Sequence, residues 1–514
     1  MSPPHAAPTG TVPPLRDGLL AALCTLMACA LITPATINGD GLGYIRTMHD
    51  WRMVPGHLLY RPLLAVASRI AHARTPLDDV TAGRCLSYLA AAAAVLFTQR
   101  FAGRVLVGAA GAVRGAAAIA ALGLGVSWAT LQAGSDVESY APALAALCLA
   151  AWSAAEHRHA TTRGAWVVAT ATAIALAALI HVENVLFAPA AALLADRADE
   201  PRPRRARTAL AILALSGALV LGSYVLPVLI LHEPGFAPLR WASGASHGFA
   251  YPIHWYTPAA AVYGIARSLV VAPYPFEASW ARVVAQVLLG MASVGVMLAL
   301  ARRRDRLRGV GRRATLAWIA PYAAIGLVWF GSDNERWIFL LPLAWTLAGA
   351  GAVSSPRAFR TAAATVAALL ALNLGLALPA ARDSSMRDRA DAAARFLADG
   401  DLVISPGHDW DEYIGFYHPV AVREYPLVYF AGALRSDEPG GGATGPLRLS
   451  LAEFIRFTRE MKHRVFLARA HDPESSAGWK DLALLGIHPA DLDALLPPGH
   501  RVPVAPDLER FDPP

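Results

Sequence analysis

Charge is scarce in this chain, so the charges that border its apolar runs are the first candidates for chemistry. Asp40 lies in the stretch 37–61, INGDGLGYIRTMHDWRMVPGHLLYR, directly after the first long apolar run. At a bilayer edge a charge costs far less than the roughly 2.5–3.5 kcal/mol expected at mid-membrane, so a carboxylate placed there stays ionised beside lipid. Asp136 and Glu138, in Gly134-Ser135-Asp136-Val137-Glu138, head a later apolar run. Such a pair can meet an arginine, hold a hard cation through its oxygens, or complement the positive end of a helix. Arg336 opens another apolar run, with Asp333 and Glu335 as its nearest salt-bridge partners in sequence. His57, Tyr60 and Arg61 follow Asp40 in the first loop, and His181 and Glu183 occupy a tight turn between two runs, where either can satisfy exposed backbone.

The elements that must hold these groups are membrane helices. The chain has 514 residues, 55% of them hydrophobic and 16% charged, with mean hydropathy +0.40, whereas soluble proteins carry about 25% charge. This excludes an ordinary soluble protein and reads as a polytopic α-helical membrane protein. The net charge of +7 is almost all arginine, Lys462 and Lys480 being the only lysines. Crossing a core about 30 Å thick takes about 17–25 apolar residues. About eleven segments qualify: roughly 15–37, 84–100, 115–132, 140–155, 164–180, 184–195, 208–231, 280–301, 314–331, 337–353 and 361–379. The pair 164–180 and 184–195 is short and also reads as one broken element.

Alternate loops between these segments carry the arginines: Arg100, Arg104 and Arg114; Arg158 and Arg163; a cluster from Arg197 to Arg207; another from Arg302 to Arg313; then Arg357 and Arg360. The intervening short loops are acidic or mixed. Positive residues stay inside, so the N-terminus is expected in the cytoplasm and the C-terminal part outside, in a multi-pass plasma-membrane protein. Two outside loops are long, about 38–83 and about 232–279. The first contains Leu58 to Ile70, interrupted by Arg61 and Arg69, and reads as juxtamembrane helices. The second gathers His232, Glu233, Arg240, Trp241, His247, His254, Trp255 and Tyr256, a composition suited to a membrane interface or a sugar site.

Past residue 380 the composition becomes that of a soluble α/β domain, 381–514, following the membrane domain 1–380. Ser384 to Ala398 has helical spacing; Leu402-Val403-Ile404 and Val465-Phe466-Leu467 read as strands; Ser450 and Glu453 form a capping box for a helix to about Met461. His408-Asp409-Trp410-Asp411-Glu412, after the first strand, is a polar loop that could bind sugar or metal. Cys24, Cys29, Cys85 and Cys148 lie in apolar runs without C-x-x-C spacing and read as packing residues. No repeat, phosphate-binding glycine loop or nucleic-acid signature is visible, so nucleic acid is not an expected partner. No histidine–carboxylate spacing specifies a metal, so no cofactor is required; a divalent cation, if used, falls to Asp40, Asp136 and Glu138.

The order of features over about residues 15–355 resembles the GT-C membrane glycosyltransferases, in particular the protein mannosyltransferases and aminoarabinose transferases of glycosyltransferase family 39. The resemblance rests on Gly39-Asp40 after the first span, His57-Leu58-Leu59-Tyr60-Arg61-Pro62-Leu63-Leu64, the span opening at Arg84, Gly134 to Glu138, and Glu335-Arg336-Trp337-Ile338-Phe339-Leu340-Leu341-Pro342. It implies transfer of a sugar from a polyprenyl-phosphate donor to an acceptor hydroxyl on the outer face, with inversion. Asp40 matches the family's first-loop general base, Asp136 and Glu138 its second acidic position, and Arg336 the arginine on the donor phosphate. Guanidinium suits that task because it stays charged and donates paired hydrogen bonds to phosphate oxygens. His57 is placed to orient the acceptor or the base, or to sit at the interface. His181 and Glu183 stand where relatives often carry a basic residue near the donor. The chain departs from many relatives in having Gly39, not a second acid, before Asp40, which bears on the acceptor: protein, lipid or polysaccharide.

Two rival readings remain. A transporter or flippase of lipid-linked glycans predicts inverted internal repeats and broken midplane helices, and no duplicated pattern is seen. A polymerase or ligase drawing on a polyprenyl-diphosphate glycan would favour large outer loops rich in arginine and histidine, such as 232–279.

Overall fold

The computed structural model describes residues 13–49, 55–75, 77–106, 109–197, 200–231, 257–271, 280–302, 310–328, 332–405, 410–427, 451–468, 493, 496–505 and 508–512. These fall into two compact units. One comprises Met1–Pro34, Thr47–Ala272 and Val284–Ala381; the other comprises Ala35–Arg46, Pro273–Val283 and Arg382–Pro514.

The first unit is helical. Its α1 (Leu15–Leu31) stops short of the apolar run that ends at Ile37. Pro34 is the reason: it has no N–H to donate and it pushes the preceding residue out of helical geometry. The helix that follows, α2 (Gly39–Thr47), is separate and lies mostly in the second unit. Next come α3 (Tyr60–Arg74), 15 residues long, and α4 (Asp79–Val105), whose start is capped by Asp78 accepting from the Thr81 N–H at 2.7 Å. Among its described residues the first loop therefore contains the short helices expected there.

The expected span 115–132 is two helices, α5 (Ala110–Val126) and α6 (Trp128–Ser135), bent by 57° at Ser127. There the Ser127 hydroxyl donates to the Gly123 carbonyl at 2.8 Å and accepts from Trp345 Nε1 at 2.9 Å, fixing the break by side-chain bonds. After α7 (Tyr140–His157) and α8 (Arg163–Ile180) the segment expected at 184–195 is a 3₁₀ turn, Val182–Phe187, leading into α9 (Ala188–Leu194). Together they form a short apolar helix of about 20 Å at 1.5 Å per residue, too short to cross a 30 Å core alone. Then follow α10 (Arg202–Leu231), α11 (Thr257–Leu269), α12 (Trp280–Ala301) and α13 (Arg312–Val328). A second 3₁₀ turn, Asn334–Leu340, opens α14 (Leu341–Ala352), and α15 (Pro356–Ala380) closes the unit. The loop expected at 232–279 thus contains a helix, α11, while the residues singled out there, His232 to Tyr256, lie outside the described residues.

Among the described residues five helices are long and apolar enough to cross a membrane, six if the bent α5–α6 pair is one span. Helices in lipid gain little from apolar burial and associate through close contact of small residues. The buried positions follow this rule: Ala91, Ala94, Ala116, Ala117, Ala120, Ala143 and Ala150 are all fully buried. At Gly349 a methyl group would run into the Ala116 carbonyl, and at Gly351 into the Leu300 carbonyl, so α14 approaches its neighbours backbone to backbone.

Breaks in helices leave backbone groups without partners, and Asn373 of α15 answers three of them. Its Nδ2 donates to the carbonyls of Val126 and Leu269, both at 2.8 Å, and its Oδ1 accepts from the Val271 N–H at 2.9 Å. One fully buried amide thereby ties the C-terminal ends of α5 and α11 together.

The second unit contains α2 and a C-terminal α/β portion. A five-stranded sheet has the order β2-β1-β3-β5-β4, with β1 (Leu402–Ser405), β2 (Arg423–Pro426), β3 (Val465–Ala468), β4 (Arg501–Ala505) and β5 (Leu508–Phe511). The first three are mutually parallel and β5 runs antiparallel to both neighbours. Helices α16 (Ser385–Ala394), α17 (Trp410–Tyr417) and α18 (Leu451–Glu460) accompany it. The core combines Leu402, Ile404, Tyr425, Leu451, Ile455, Val465 and Leu467. The turn into β1 uses Gly400 at φ +84°, a left-handed conformation that favours glycine, with His463 packed against it. Asp401 then accepts from Arg464 Nη2 at 2.6 Å and from the Arg464 N–H at 2.9 Å, joining β1 to β3.

Replacing Asn373 by leucine strands three buried backbone groups, each costing about 1–3 kcal/mol when left unsatisfied. Asn373→Leu is therefore expected to lose about 2 kcal/mol or more of stability, read as a melting temperature several degrees below wild type in detergent. Equal melting would show that the clamp contributes nothing.

Candidate functional site

Two irregular segments of the first unit bring four of the expected residues together, Arg336, Glu183, His181 and His57. Helix α8 ends at His181 in extended conformation, and the 3₁₀ turn after it turns Glu183 inward. In the second turn, Asp333 caps by accepting from the Glu335 N–H at 3.2 Å, and Arg336 follows. Arg336 Nη1 donates to Glu183 Oε1 at 2.6 Å, and its Nε lies 3.9 Å from Asp333 Oδ2. Its guanidinium also lies 5.9 Å from the centre of the Tyr140 ring. The salt bridge expected from sequence neighbours is thus made chiefly to a residue 153 positions away.

His181 stands beside this pair in an aromatic enclosure. Its ring centre is 4.5 Å from Tyr140, 4.9 Å from His57 and 5.6 Å from Phe339. His57 Nδ1 lies 3.1 Å from the Ile180 carbonyl, so that nitrogen carries the proton. Burial pushes both imidazoles down to about 3, with the His181 ring adding to the effect on His57 and the Arg336 charge adding to that on His181. Both are neutral at physiological pH. Burial also holds the Asp333 carboxyl above its ordinary value, against the pull of Arg336. Below them Asn184 accepts from the Tyr322 hydroxyl at 2.9 Å and donates to the His181 carbonyl at 3.1 Å, which locks the turn. Among the described residues, Nδ1 of His181 and Oε2 of Glu183 are buried without a hydrogen-bond partner. The cluster therefore keeps bonding capacity for a ligand with hydroxyl or other donor groups.

Asp136 ends α6 and Glu138 sits in the turn to α7; both are buried. Arg84 Nε lies 3.6 Å from Asp136 Oδ1, while Arg84 Nη2 donates to the Pro34 carbonyl at 2.7 Å. This is the arginine pairing, one of the uses open to the acids from sequence, and a cation at Asp136 would have to compete with it. Tyr60 is fully buried at the head of α3 and Arg61 is half-buried after it. Asp40 lies in the second unit, exposed in the first turn of α2, where the free N–H groups of a helix start favour negative charge. Asn38 forms that start by accepting from the Gly41 N–H at 2.5 Å.

Sequence reasoning missed Arg267. It is buried in α11, donates to the Ser332 carbonyl at 3.2 Å and lies 5.6 Å from the Tyr263 ring centre, so that Asp333 has a second guanidinium near it. A charge inside an apolar stretch was the available signal. In the C-terminal portion His408 and Asp409 lie outside the described residues, while Asp411 begins α17 beside Glu424. Glu424 accepts from the Ser405 hydroxyl and, at 3.3 Å, from the Asp411 N–H. Burial, helped by the Asp411 carboxylate, pushes its carboxyl up to about 8. No group of three histidine, cysteine or acidic side chains that could hold a metal occurs among the described residues.

No protein-family model matches this sequence, and comparison with curated protein sequences gives no match either. Solved structures do match over nearly the whole chain. ArnT from Cupriavidus metallidurans, solved bound to undecaprenyl phosphate, aligns at TM-score 0.55 and 13% identity over 96% of this chain and 97% of its own. The oligosaccharyltransferase AglB from Archaeoglobus fulgidus, in complex with an inhibitory peptide and a dolichol-phosphate, aligns at TM-score 0.56 and 14% identity over 94% of this chain and 72% of its own. The Archaeoglobus fulgidus oligosaccharyltransferase in complex with Zn and sulfate aligns at TM-score 0.55 and 13% identity, covering 94% and 71%. The chain thus shares the fold of these structures, the GT-C-like fold expected from the sequence: a polytopic helical unit with a C-terminal portion built on a small sheet.

Removing one partner of a buried ion pair strands the other, at about 3–5 kcal/mol. Glu183→Leu is accordingly expected to lose about 3 kcal/mol, and the double variant Glu183→Leu/Arg336→Leu to regain much of it; a double variant as unstable as the sum of the singles would refute the coupling. Glu424 supplies a pH prediction. The folded protein keeps a proton there that the unfolded chain, with an ordinary carboxyl of 4.5, releases. Its stabilisation is complete below about 4.5 and is lost as pH rises through about 8. Glu424→Gln should melt like wild type at pH near 5 and above it at pH near 9, and parallel melting curves at both would contradict this.

Proposed function

We propose that this chain is a plasma-membrane glycosyltransferase that moves a sugar from a polyprenyl-phosphate donor to an acceptor hydroxyl on the extracytoplasmic face, with inversion. The observation that carries the reading is the end-to-end match to ArnT bound to undecaprenyl phosphate. The arginine-rich alternate loops support a cytoplasmic N-terminus and an extracytoplasmic C-terminal portion.

In the proposed reaction the Asp40 carboxylate takes the proton of the acceptor hydroxyl as that oxygen bonds to the anomeric carbon. The bond from the anomeric carbon to the phosphate oxygen breaks, and its electron pair leaves on the polyprenyl phosphate. The proton then passes from Asp40 to solvent. A positioned base contributes about 10²–10⁴ in rate. Arg336 holds the donor phosphate; a guanidinium has five N–H donors, enough to keep Glu183 and still bind phosphate oxygens. Asp136 and Glu138 support the sugar, with His181, Glu183 and His57 beside the donor and Tyr60 and Arg61 in the acceptor loop. Neutral histidines suit this role, since they meet sugar hydroxyls without competing for the phosphate. Protein, lipid and polysaccharide acceptors all fit this chemistry, since each offers a hydroxyl.

The reaction as written uses no cofactor. Asp40, Asp136 and Glu138, the acids expected to take a divalent cation if one were used, do not form a metal-holding group among the described residues; one solved neighbour is a complex with Zn and sulfate. A second reading, transfer of a whole glycan from a diphosphate carrier, draws on the equal likeness to oligosaccharyltransferase structures.

The test is transfer from radiolabelled polyprenyl-phosphate sugars to total membrane acceptor by the protein in nanodiscs. Asp40→Asn keeps shape and removes the base, and should reduce transfer at least about a hundredfold. Arg336→Lys should weaken donor binding about tenfold, because one ammonium cannot replace two parallel bonds. Wild-type transfer by Asp40→Asn would remove it as the base. Transfer only from diphosphate-linked glycans would establish the second reading, and movement of label across proteoliposomes without transfer would establish a flippase. Loss of transfer in EDTA, restored by a divalent cation, would add the metal.

A further inference from the structure

We infer that Tyr413 of the C-terminal α/β portion is a positioning residue for Asp40, an inference that rests on Asp40 being the base. The helix carrying Asp40 belongs to the same compact unit as residues 382–514, although more than 300 residues separate them in sequence. The Tyr413 hydroxyl donates to the Ile37 carbonyl at 2.5 Å. Ile37 lies directly before Asn38, the residue that starts α2 by accepting from the Leu42 N–H at 3.0 Å through its carbonyl and from the Gly41 N–H at 2.5 Å through its side chain. Tyr413 thus holds the chain one residue ahead of the cap and three ahead of Asp40.

Further contacts keep this arrangement. The Thr36 hydroxyl donates to the Asp383 carbonyl at 3.3 Å, at the entry to α16. At the other end of α2 the guanidinium of Arg46 lies over Gly415, where an added Cβ would be 3.2 Å from Arg46 Nη2, so α17 also meets the last turn of α2. Helix α17 is itself held: His418 Nε2 lies 2.9 Å from Asp391 Oδ1, Arg387 lies 4.8 Å from the centre of the Tyr417 ring, and Tyr417 stacks on Tyr413. Tyr413 and Ile37 are both buried, as are Leu42 and Ile45 on the side of α2 away from the exposed Asp40. A short helix fixed at its start and met at its last turn presents its exposed residues in one orientation. Catalysis is sensitive to that orientation, since a misplacement of about 1 Å can cost a hundredfold.

The experiment uses the full chain in nanodiscs and compares wild type with Tyr413→Phe, Thr36→Val, Asp40→Asn and Ile455→Val. Two quantities are read: kcat and donor KM for transfer, and hydrogen exchange of the amides of 38–42. Tyr413→Phe is expected to lower kcat about tenfold with donor KM within about twofold of wild type, and to speed exchange at those amides. Thr36→Val, a milder change at the surface, should act in the same direction by a smaller factor. Ile455→Val loosens the sheet core without touching α2 and should keep wild-type kcat. Wild-type kcat and exchange in Tyr413→Phe, with Asp40→Asn inactive, would overturn the positioning role and leave the base in place. An equal loss in Ile455→Val would overturn it in favour of general destabilisation. Wild-type turnover by Asp40→Asn would overturn the base itself, and the positioning role with it.

Discussion

A guanidinium buried among apolar helices stays charged only where fixed opposite charge and directed acceptors replace the water it gave up. Arg336 obtains this from Glu183, and much of the inner arrangement of the helical unit follows. The pair requires two stretches distant in sequence to meet, and each meets the other where the backbone leaves α-helical geometry, at Val182–Phe187 and Asn334–Leu340. Irregular backbone inside a packed helical unit is tolerated only when the protein supplies its hydrogen bonds. Asn184, Tyr322, Asp333 and Trp318 do so here, the last by donating to the Phe339 carbonyl at 2.9 Å. The two neutral histidines complete the enclosure without adding charge that Glu183 would have to balance.

The remainder of that unit solves a different problem, which is packing helices together in a solvent as apolar as their own surfaces. Alanine and glycine let backbones approach, and sparse polar side chains join the places where helices break. Ser127 at the α5–α6 bend and Asn373 across the ends of α5 and α11 are of this kind. Their partners are backbone groups, so their value comes from satisfying what each break exposes.

The second unit separates two tasks in the proposed chemistry. Recognition of an anionic, lipid-linked donor needs a buried cation in a rigid surround, which helices provide. Removal of a proton from an acceptor needs a carboxylate that reaches solvent and is held at a fixed angle. The exposed Asp40 sits on a helix whose start is tied to the C-terminal portion through Tyr413 and Ile37, so in the proposed chemistry an acceptor can approach the acid while its backbone stays anchored.

The sequence by itself determined the class of molecule, because apolar run length and the scarcity of charge report directly on solvation by lipid. It also determined the helices of the long runs and the strands Leu402–Ser405 and Val465–Ala468, where local composition and periodicity agree with the final packing. It singled out Arg336, Glu183 and His181 as unusual by their position at the ends of apolar runs. Where helices stop or bend inside an apolar run was legible only in part: Pro34 marks the end of α1, but the bend at Ser127 depends on Trp345, more than two hundred residues away. The same holds for pairing. Sequence proximity offered Asp333 and Glu335 to Arg336, and the tertiary structure selected Glu183; Arg84 met Asp136, and Tyr413 met the segment before Asp40. A charge or hydroxyl announces from its surroundings in sequence that it needs a partner, but which partner it takes is decided by which distant backbones the small residues allow to approach.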